Sequence, residues 1–187
     1  KIYVLAETNC PEKVSAAYFV NPQVGYLLLR NGNVLRTTDG GESFGRGTAI
    51  PGTPGSSGGG QSVPADAIFT TSDAGVVFLA GTNTAYRTTD AGASWTPEPD
   101  VESGNVQRMR AVSASTFYAF GPDTLLRSTD AGQTWQRRGA GAGNTITGIG
   151  CATDDLCLLS TERGDRLLRT PDGGATAETI TASTAAL

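Results

Sequence analysis

The residue types best suited to chemistry are sparse in this chain. None of its 187 residues is histidine, which rules out Ser-His-Asp and Cys-His nucleophile arrangements, His-ligated zinc or haem, and a histidine pH switch. Three cysteines are present: Cys10, Cys151 and Cys157. Cys151 and Cys157 flank the short polar segment ATDDL. Two strands joined by a tight turn there would face the sulfurs across the ladder, close enough to bridge. A disulfide implies an oxidising compartment, and a loop this short contributes about 2 kcal/mol through chain entropy. Cys10 is left over, either free or paired outside the chain. The 14 basic and 18 acidic residues give a net charge of −4, the wrong balance for a duplex nucleic acid or an anionic membrane surface. Four aspartates stand out by context: Asp39, Asp90, Asp130 and Asp172 follow one another at intervals of 51, 40 and 42 residues.

Those aspartates belong to a repeat. RTTDGGESF at 36–44, RTTDAGASW at 87–95, RSTDAGQTW at 127–135 and RTPDGGATA at 169–177 align without gaps. The common pattern is Arg, Ser/Thr, any, Asp, any, Gly, any, Ser/Thr, aromatic, with Ala177 breaking the aromatic position in the last copy. Upstream of each copy lie two apolar runs and a Gly/Asn/Asp turn, as in AAYFV, GYLLLR, NGN and VLRT of the first unit. Short runs rich in Val, Leu, Tyr and Phe between turn residues are strands, and NGN is a hairpin signal. The chain therefore predicts four all-β units, each a four-stranded meander, at approximately 14–47, 65–97, 107–137 and 145–183. Periods of this length fall in the propeller range. Within the motif, the Asp carboxylate can accept backbone N–H groups of its own turn, the Gly permits positive φ, and the aromatic is expected to pack under the next sheet. Both tryptophans, Trp95 and Trp135, occupy that aromatic position, with Phe44 in the first copy.

The pattern resembles the Asp-box (BNR) repeat of β-propellers, secreted bacterial members in particular, and three of the four copies match in full. The resemblance implies blades of four antiparallel strands. It implies structural roles for Asp39, Gly41, Phe44, Asp90, Gly92, Trp95, Asp130, Gly132, Trp135, Asp172 and Gly174, on the end of each blade away from the usual ligand face. Propellers of this kind commonly have six or more blades, so the four units are expected to form part of a larger propeller. Residues 1–8 read as an extra strand from a preceding or closing blade. Residues 1–10 lack the features of a secretory leader, so the chain is expected to be processed or a piece of something larger. Residues 48–64, rich in Gly, Ser and Pro, read as a flexible insertion.

The family includes sialidases, xyloglucan-degrading hydrolases, sortilin-type receptors and photosystem II assembly factors, so membership alone leaves function open. On the propeller model the ligand face is built from the turns between second and third strands, with Asn31, Asn33, Asn83, Asp123, Glu162, Arg163 and Asp165. Linking loops add Glu98, Asp100, Glu102, Arg137 and Arg138. A glycosidase needs two carboxylates about 5 to 9.5 Å apart, for which Asp100, Asp123 and Asp165 are candidates. The four repeated arginines recur once per blade and do not form a sialidase-type cluster. No residue is assigned a catalytic role, and no metal or cofactor is implied. The sequence reads as a non-catalytic, extracytoplasmic propeller that binds or scaffolds a protein or glycan partner, without nucleic acid or membrane insertion. Binding residues are expected among Asn31, Asn33, Asn83, Asp123, Arg137, Arg163 and Asp165. A fragment of a carbohydrate-active enzyme and an assembly subunit pairing with missing blades or a second chain stand as alternatives.

Overall fold

The computed structural model describes residues 13–82, 84–98, 104–162 and 166–180. The expected strand at 1–8, together with Cys10, Asn83, Asp100, Glu102, Arg163 and Asp165, lies outside the described residues. The chain divides into two units, Lys1–Pro99 and Asp100–Leu187.

The first unit holds two sheets. One contains β1 (Val14–Phe19), β2 (Gly25–Leu29), β3 (Val34–Thr37) and β4 (Gly45–Arg46). The other contains β5 (Pro64–Phe69), β6 (Gly75–Leu79), β7 (Ala85–Thr88) and β8 (Thr96–Glu98). The second unit repeats the plan. Its first sheet has β9 (Arg108–Ala111), β10 (Phe117–Gly121), β11 (Thr124–Ser128) and β12 (Gln136–Arg137); its second has β13 (Ile146–Cys151), β14 (Cys157–Thr161), β15 (Leu167–Thr170) and β16 (Glu178–Ile180). Every sheet is an antiparallel meander in sequence order, the blade of a β-propeller. No α-helix occurs among the described residues.

One register position recurs at the first hairpin of every blade. The last residue of strand a faces the first of strand b, giving Phe19 opposite Gly25, Phe69 opposite Gly75, Ala111 opposite Phe117 and Cys151 opposite Cys157. A ring laid over a residue with little or no side chain fills the slot three times. A disulfide fills it the fourth time, with the Cα atoms 4.0 Å apart. At Gly75 the exchange is strict, because an added Cβ would lie 2.4 Å from the Phe69 ring.

Blades within a unit pack through one apolar face of each sheet. In the first unit Tyr26, Leu28 and Val34 of the first blade meet Ala67, Phe69 and Trp95 of the second, with Phe69 stacked on Tyr26 at 3.7 Å and 3°. In the second unit Tyr118, Phe120 and Leu125 meet Ile146, Leu159 and Leu168. Arginine and tyrosine rivet each pair. Tyr26 donates its hydroxyl to the Ser72 carbonyl, joined there by Arg36 at 3.4 Å, and Arg36 also approaches Asp73 at 3.7 Å. Tyr118 and Arg127 reach the Asp154 carbonyl at 2.8 and 3.2 Å, and Arg127 pairs with Asp155 at 2.6 Å.

Two expectations from sequence need correction. Trp95 packs against the preceding blade rather than the next. It lies beside Val34, and its indole N–H donates to the Thr48 carbonyl at 3.1 Å. Phe44 and Trp135 are only partly buried. The Gly/Ser/Pro segment is not uniformly loose. Ile50 and Thr53 are both 0% exposed. Ile50 donates its N–H to the Gly32 carbonyl, and Gly55 donates to Asn31 at 2.7 Å. A buried isoleucine and a complementary turn hold in place what composition alone reads as linker.

Candidate functional site

In a meander the a–b and c–d turns share one end of the sheet, and the b–c turns lie at the other. The repeated Asp turn sits between strands c and d in all four blades. Its geometry is nearly identical each time. In the second blade Ser94 donates its N–H to Asp90 Oδ1 at 2.8 Å and its hydroxyl to Oδ2 at 2.5 Å, while Thr88 donates to Oδ1 at 2.8 Å. The Thr88 hydroxyl in turn accepts the Gly92 N–H at 2.8 Å. The same four bonds form around Asp39, Asp130 and Asp172. Two successive positive-φ residues close each turn, 62° and 83° at Ala91 and Gly92. The left-handed region is open to glycine and tolerated by alanine at a modest cost.

The carboxylates are acidified by these bonds. The Ser43 hydroxyl, the Thr37 hydroxyl and the Ser43 N–H hold Asp39 well below the usual carboxylate range. Asp90 falls to about 2 through the Ser94 hydroxyl and N–H and the Thr88 hydroxyl, and Asp172 to about 2 through the Thr176 N–H and hydroxyl. At Asp130 burial pushes upward, but the bonds from Thr134 and Ser128 outweigh it and the net shift is downward. A general acid at neutral pH needs the opposite shift. The turns also join blades and hairpins. Thr48 donates its N–H to the Gly92 carbonyl and Ala140 to that of Gly174, while Ala91 and Gly173 donate back to the a–b turns at Asp73 and Asp155. A groove of about 600 Å³ runs along this end of the first unit, lined by Arg36, Arg46, Thr48 and Asp90.

The b–c end is where the sequence placed its binding residues, and the two units treat it differently. In the first unit Asn31 and Asn33 are occupied internally. Asn33 donates its N–H to Asn31 Oδ1 at 3.0 Å and is 5% exposed, beneath the segment that begins at Thr48. Gly32 has φ +88° and must lack a Cβ, which would fall 1.9 Å from Thr53 Oγ1. These asparagines build a seat for residues 50–55, with Asn33 buried beneath it and Asn31 half-exposed.

The second unit differs at this end. Asp123, Asn144, Thr145, Thr161, Glu162 and Arg166 line a polar hollow of about 290 Å³. Asp123 is a left-handed turn residue at φ 50°. Its Oδ1 accepts the Gly143 N–H at 2.9 Å, and its carbonyl accepts Arg137 at 2.5 Å. Asn144 is fixed by donating to the Ala140 and Ala142 carbonyls, both at 3.1 Å. Arg138, proposed for the same face, instead turns to the carbonyls of Asp172 and Gly173 at 2.7 and 2.9 Å. Sequence reasoning thus brought Asp123, Arg137 and Glu162 to one place but missed Asn144, Thr161 and Arg166. Arg166 directly follows TERGD in the sequence, which was the available signal. Among the described residues no group of three or more Asp, Glu or Cys side chains is arranged to hold a metal ion. No described helix is long and apolar enough to cross a membrane.

A family model described as the DUF6242 beta propeller domain matches residues 57–187. The chain belongs to this family. Its match begins inside the Gly/Ser/Pro segment, so the first blade of this DUF6242 chain lies outside the matched region. No curated protein matches it in sequence. Solved structures share its fold at low identity. YCF48 bound to D1 peptide superposes with a TM-score of 0.66 at 17% identity, over 93% of this chain and 56% of that one. YCF48 from Cyanidioschyzon merolae gives 0.67 at 13%, over 95% and 62%. The GH74 xyloglucanase from Xanthomonas campestris gives 0.65 at 20%, over 86% and 28%. The DUF6242 chain thus spans little more than half of the first of these and under a third of the xyloglucanase. At these identities the likeness establishes the fold alone.

Proposed function

We propose that this chain is a non-catalytic, extracytoplasmic binding propeller that contacts a protein or glycan partner through the b–c end of its blades. The observation that carries the reading is the open polar hollow of Asp123, Asn144, Glu162 and Arg166. Its donors and acceptors suit one polar side chain or one sugar ring, and the bonds that already hold Asp123 and Asn144 lower the ordering cost of binding. The engagement of Asp123 with the Gly143 N–H fits a positioning role rather than proton transfer. A protein segment is the favoured occupant, supported by the peptide named with one YCF48 structure. The disulfide supports an oxidising compartment. The repeated turn is, on this reading, an Asp-box whose aspartates serve structure, since each carboxylate is filled by its own turn.

The test is a display selection of short peptides on the chain, run beside titration with xyloglucan oligosaccharides. The expectation is that selected peptides, or the oligosaccharides, bind the wild-type chain. Glu162→Ala and Arg166→Ala should each weaken that binding at least about tenfold, roughly the value of one charge-assisted bond. Binding that ignores both substitutions would overturn the site. Release of sugar from the xyloglucan oligosaccharides would overturn the non-catalytic reading and favour a carbohydrate-active enzyme, which the GH74 fold likeness keeps in view.

A further inference from the structure

At the c–d end the two units differ at one matching position. Val34, Leu35 and Arg36 of β3 correspond to Leu125, Leu126 and Arg127 of β11, each set leading into its Asp turn. Across the ladder Arg46 faces Leu35 as Arg137 faces Leu126. One residue on, Gly47 donates its N–H to the Val34 carbonyl and Arg138 donates its own to the Leu125 carbonyl, both at 2.7 Å. Gly47 and Arg138 therefore hold the same place beside the Asp turn of the following blade.

In the second unit a side chain fills that place. Arg138 Nε donates to the Gly173 carbonyl at 2.9 Å, and a terminal guanidinium nitrogen donates to the Asp172 carbonyl at 2.7 Å. In the first unit the residue is glycine, and the groove of about 600 Å³ runs there, lined by Gly45, Gly47, Asp90 and Ala91. The wall is built alike in both. Ala91 and Gly92 have φ of 62° and 83°, against 67° and 86° at Gly173 and Gly174. The Gly92 carbonyl accepts Thr48 as that of Gly174 accepts Ala140, and Ala91 donates to Asp73 as Gly173 donates to Asp155. Yet among the described residues nothing donates to the Ala91 carbonyl, the counterpart of the Gly173 carbonyl that Arg138 takes. An added Cβ at Gly47 would lie 3.0 Å from the Val34 carbonyl oxygen and 3.1 Å from that of Gly92. The backbone of the first unit thus runs too close to fill the groove from its own position 47.

We infer that this groove takes an arginine side chain of a partner protein, its guanidinium spanning the Asp90 and Ala91 carbonyls as that of Arg138 spans Asp172 and Gly173. A planar fork of donors meets two successive carbonyls at once, which the point charge of a lysine does not. The Asp90 carboxylate on the same wall adds attraction for a cation. Arg36 is drawn off to Ser72 and Asp73. Its counterpart Arg127 is held in the same way by Asp154 and Asp155 in the unit that carries Arg138. Arg46 opposes the incoming charge. The site lies at the other end of the blades from the Asp123 hollow, and each stands without the other.

Nuclear magnetic resonance titration of the chain with the capped peptide Gly-Arg-Gly, up to about 10 mM, suits so small a ligand. The amides of Ala91, Gly92 and Ala93 should shift saturably. Capped Gly-Lys-Gly should bind at least about tenfold more weakly, the value of one lost charge-assisted bond. Arg46→Gln should tighten the arginine peptide by up to about fivefold, the range for an exposed charge pair. Gly45→Leu should abolish the shifts with an unchanged circular dichroism spectrum. Gly45 stands opposite Arg36 on the groove side, and an added Cβ there meets no atom nearer than 3.8 Å. Arg138→Ala opens the matching place in the second unit and should add a second saturable set of shifts at Gly173, Gly174 and Ala175; should that variant not fold, Gly45→Leu decides. No shift at residues 91–93 of the wild type, equal binding of the lysine peptide, preference for capped Gly-Glu-Gly, or shifts that survive Gly45→Leu would each overturn the proposal. A folded Arg138→Ala with no second site would overturn it equally.

Discussion

Replacing Trp95 by alanine removes the largest side chain between the blades of the first unit. Trp95 is 8% exposed and belongs to the cluster of Tyr26, Val34, Ile50 and Phe69. Truncating a buried tryptophan costs about 3–5 kcal/mol through lost transfer energy and the cavity left behind. The upper part of that range applies, because Val34 and Ile50 are held by their own backbone bonds and cannot collapse far. The indole N–H bond to Thr48 adds about 1 kcal/mol, and Trp95→Phe isolates it by keeping most of the ring area. Trp135 is a control in the same motif position. It is only partly buried, and its indole donates to Gly132 within its own turn at 3.1 Å, so Trp135→Ala should cost about half as much or less. Urea unfolding followed by circular dichroism gives the three values. Hydrogen exchange of peptides spanning 25–37 and 45–53 localises the loss, with protection falling there in Trp95→Ala. A cost below about 1 kcal/mol for Trp95→Ala, or one equal to that of Trp135→Ala, would refute the reasoning that the preceding blade fills this slot.

Acid should destabilise the chain through its repeated turns. The folded-state values of Asp39, Asp90, Asp130 and Asp172 lie below the ordinary 3.8. Their contribution is thus fully present above that value and is lost as pH falls toward about 2, the value at Asp90 and Asp172. Melting temperature measured from pH 5 to pH 2, values set by that window, should fall along the descent, and Asp90→Asn should show a shallower fall; an equal slope would count against the linkage. Reduction of the Cys151–Cys157 bridge should lower stability by about 2 kcal/mol, the loop-closure value for so short a loop. Melting with and without reductant, with Cys151→Ser/Cys157→Ser as reference, checks it, and no difference would mean that packing at that slot persists without the bond.

Much of the fold was legible because its signals are local. The meander, the Asp turn and the Cys151–Cys157 pairing each depend on residues within one hairpin. The direction in which Trp95 packs was not legible, since a motif specifies a turn but not which neighbour's groove receives the ring. Residues 48–64 read as a flexible insertion for a related reason. Gly, Ser and Pro suggest freedom, yet the anchoring of Ile50 and Thr53 depends on Gly32, some twenty positions away, having no side chain. The same long-range fact buries Asn33 beneath that segment. Arg166 and Asn144 escaped notice because the hollow forms between two blades, and no single repeat carries its outline. The rivets from Tyr26 and Tyr118 were missed as well, because strand tyrosines read as apolar until a neighbouring carbonyl meets the hydroxyl.

The slot at the first hairpin of each blade has a chemical consequence. Phe19, Phe69 and Phe117 fill it with rings that no electron donor can change, whereas the fourth blade fills it with sulfur. Reductant is thus addressed to one blade in four. It unlocks the hairpin that carries Asp154 and Asp155, the two residues gripped by Tyr118 and Arg127, and leaves the first unit without a single group to answer it among the described residues. A reductant that reaches this propeller region would loosen it at one chosen seam.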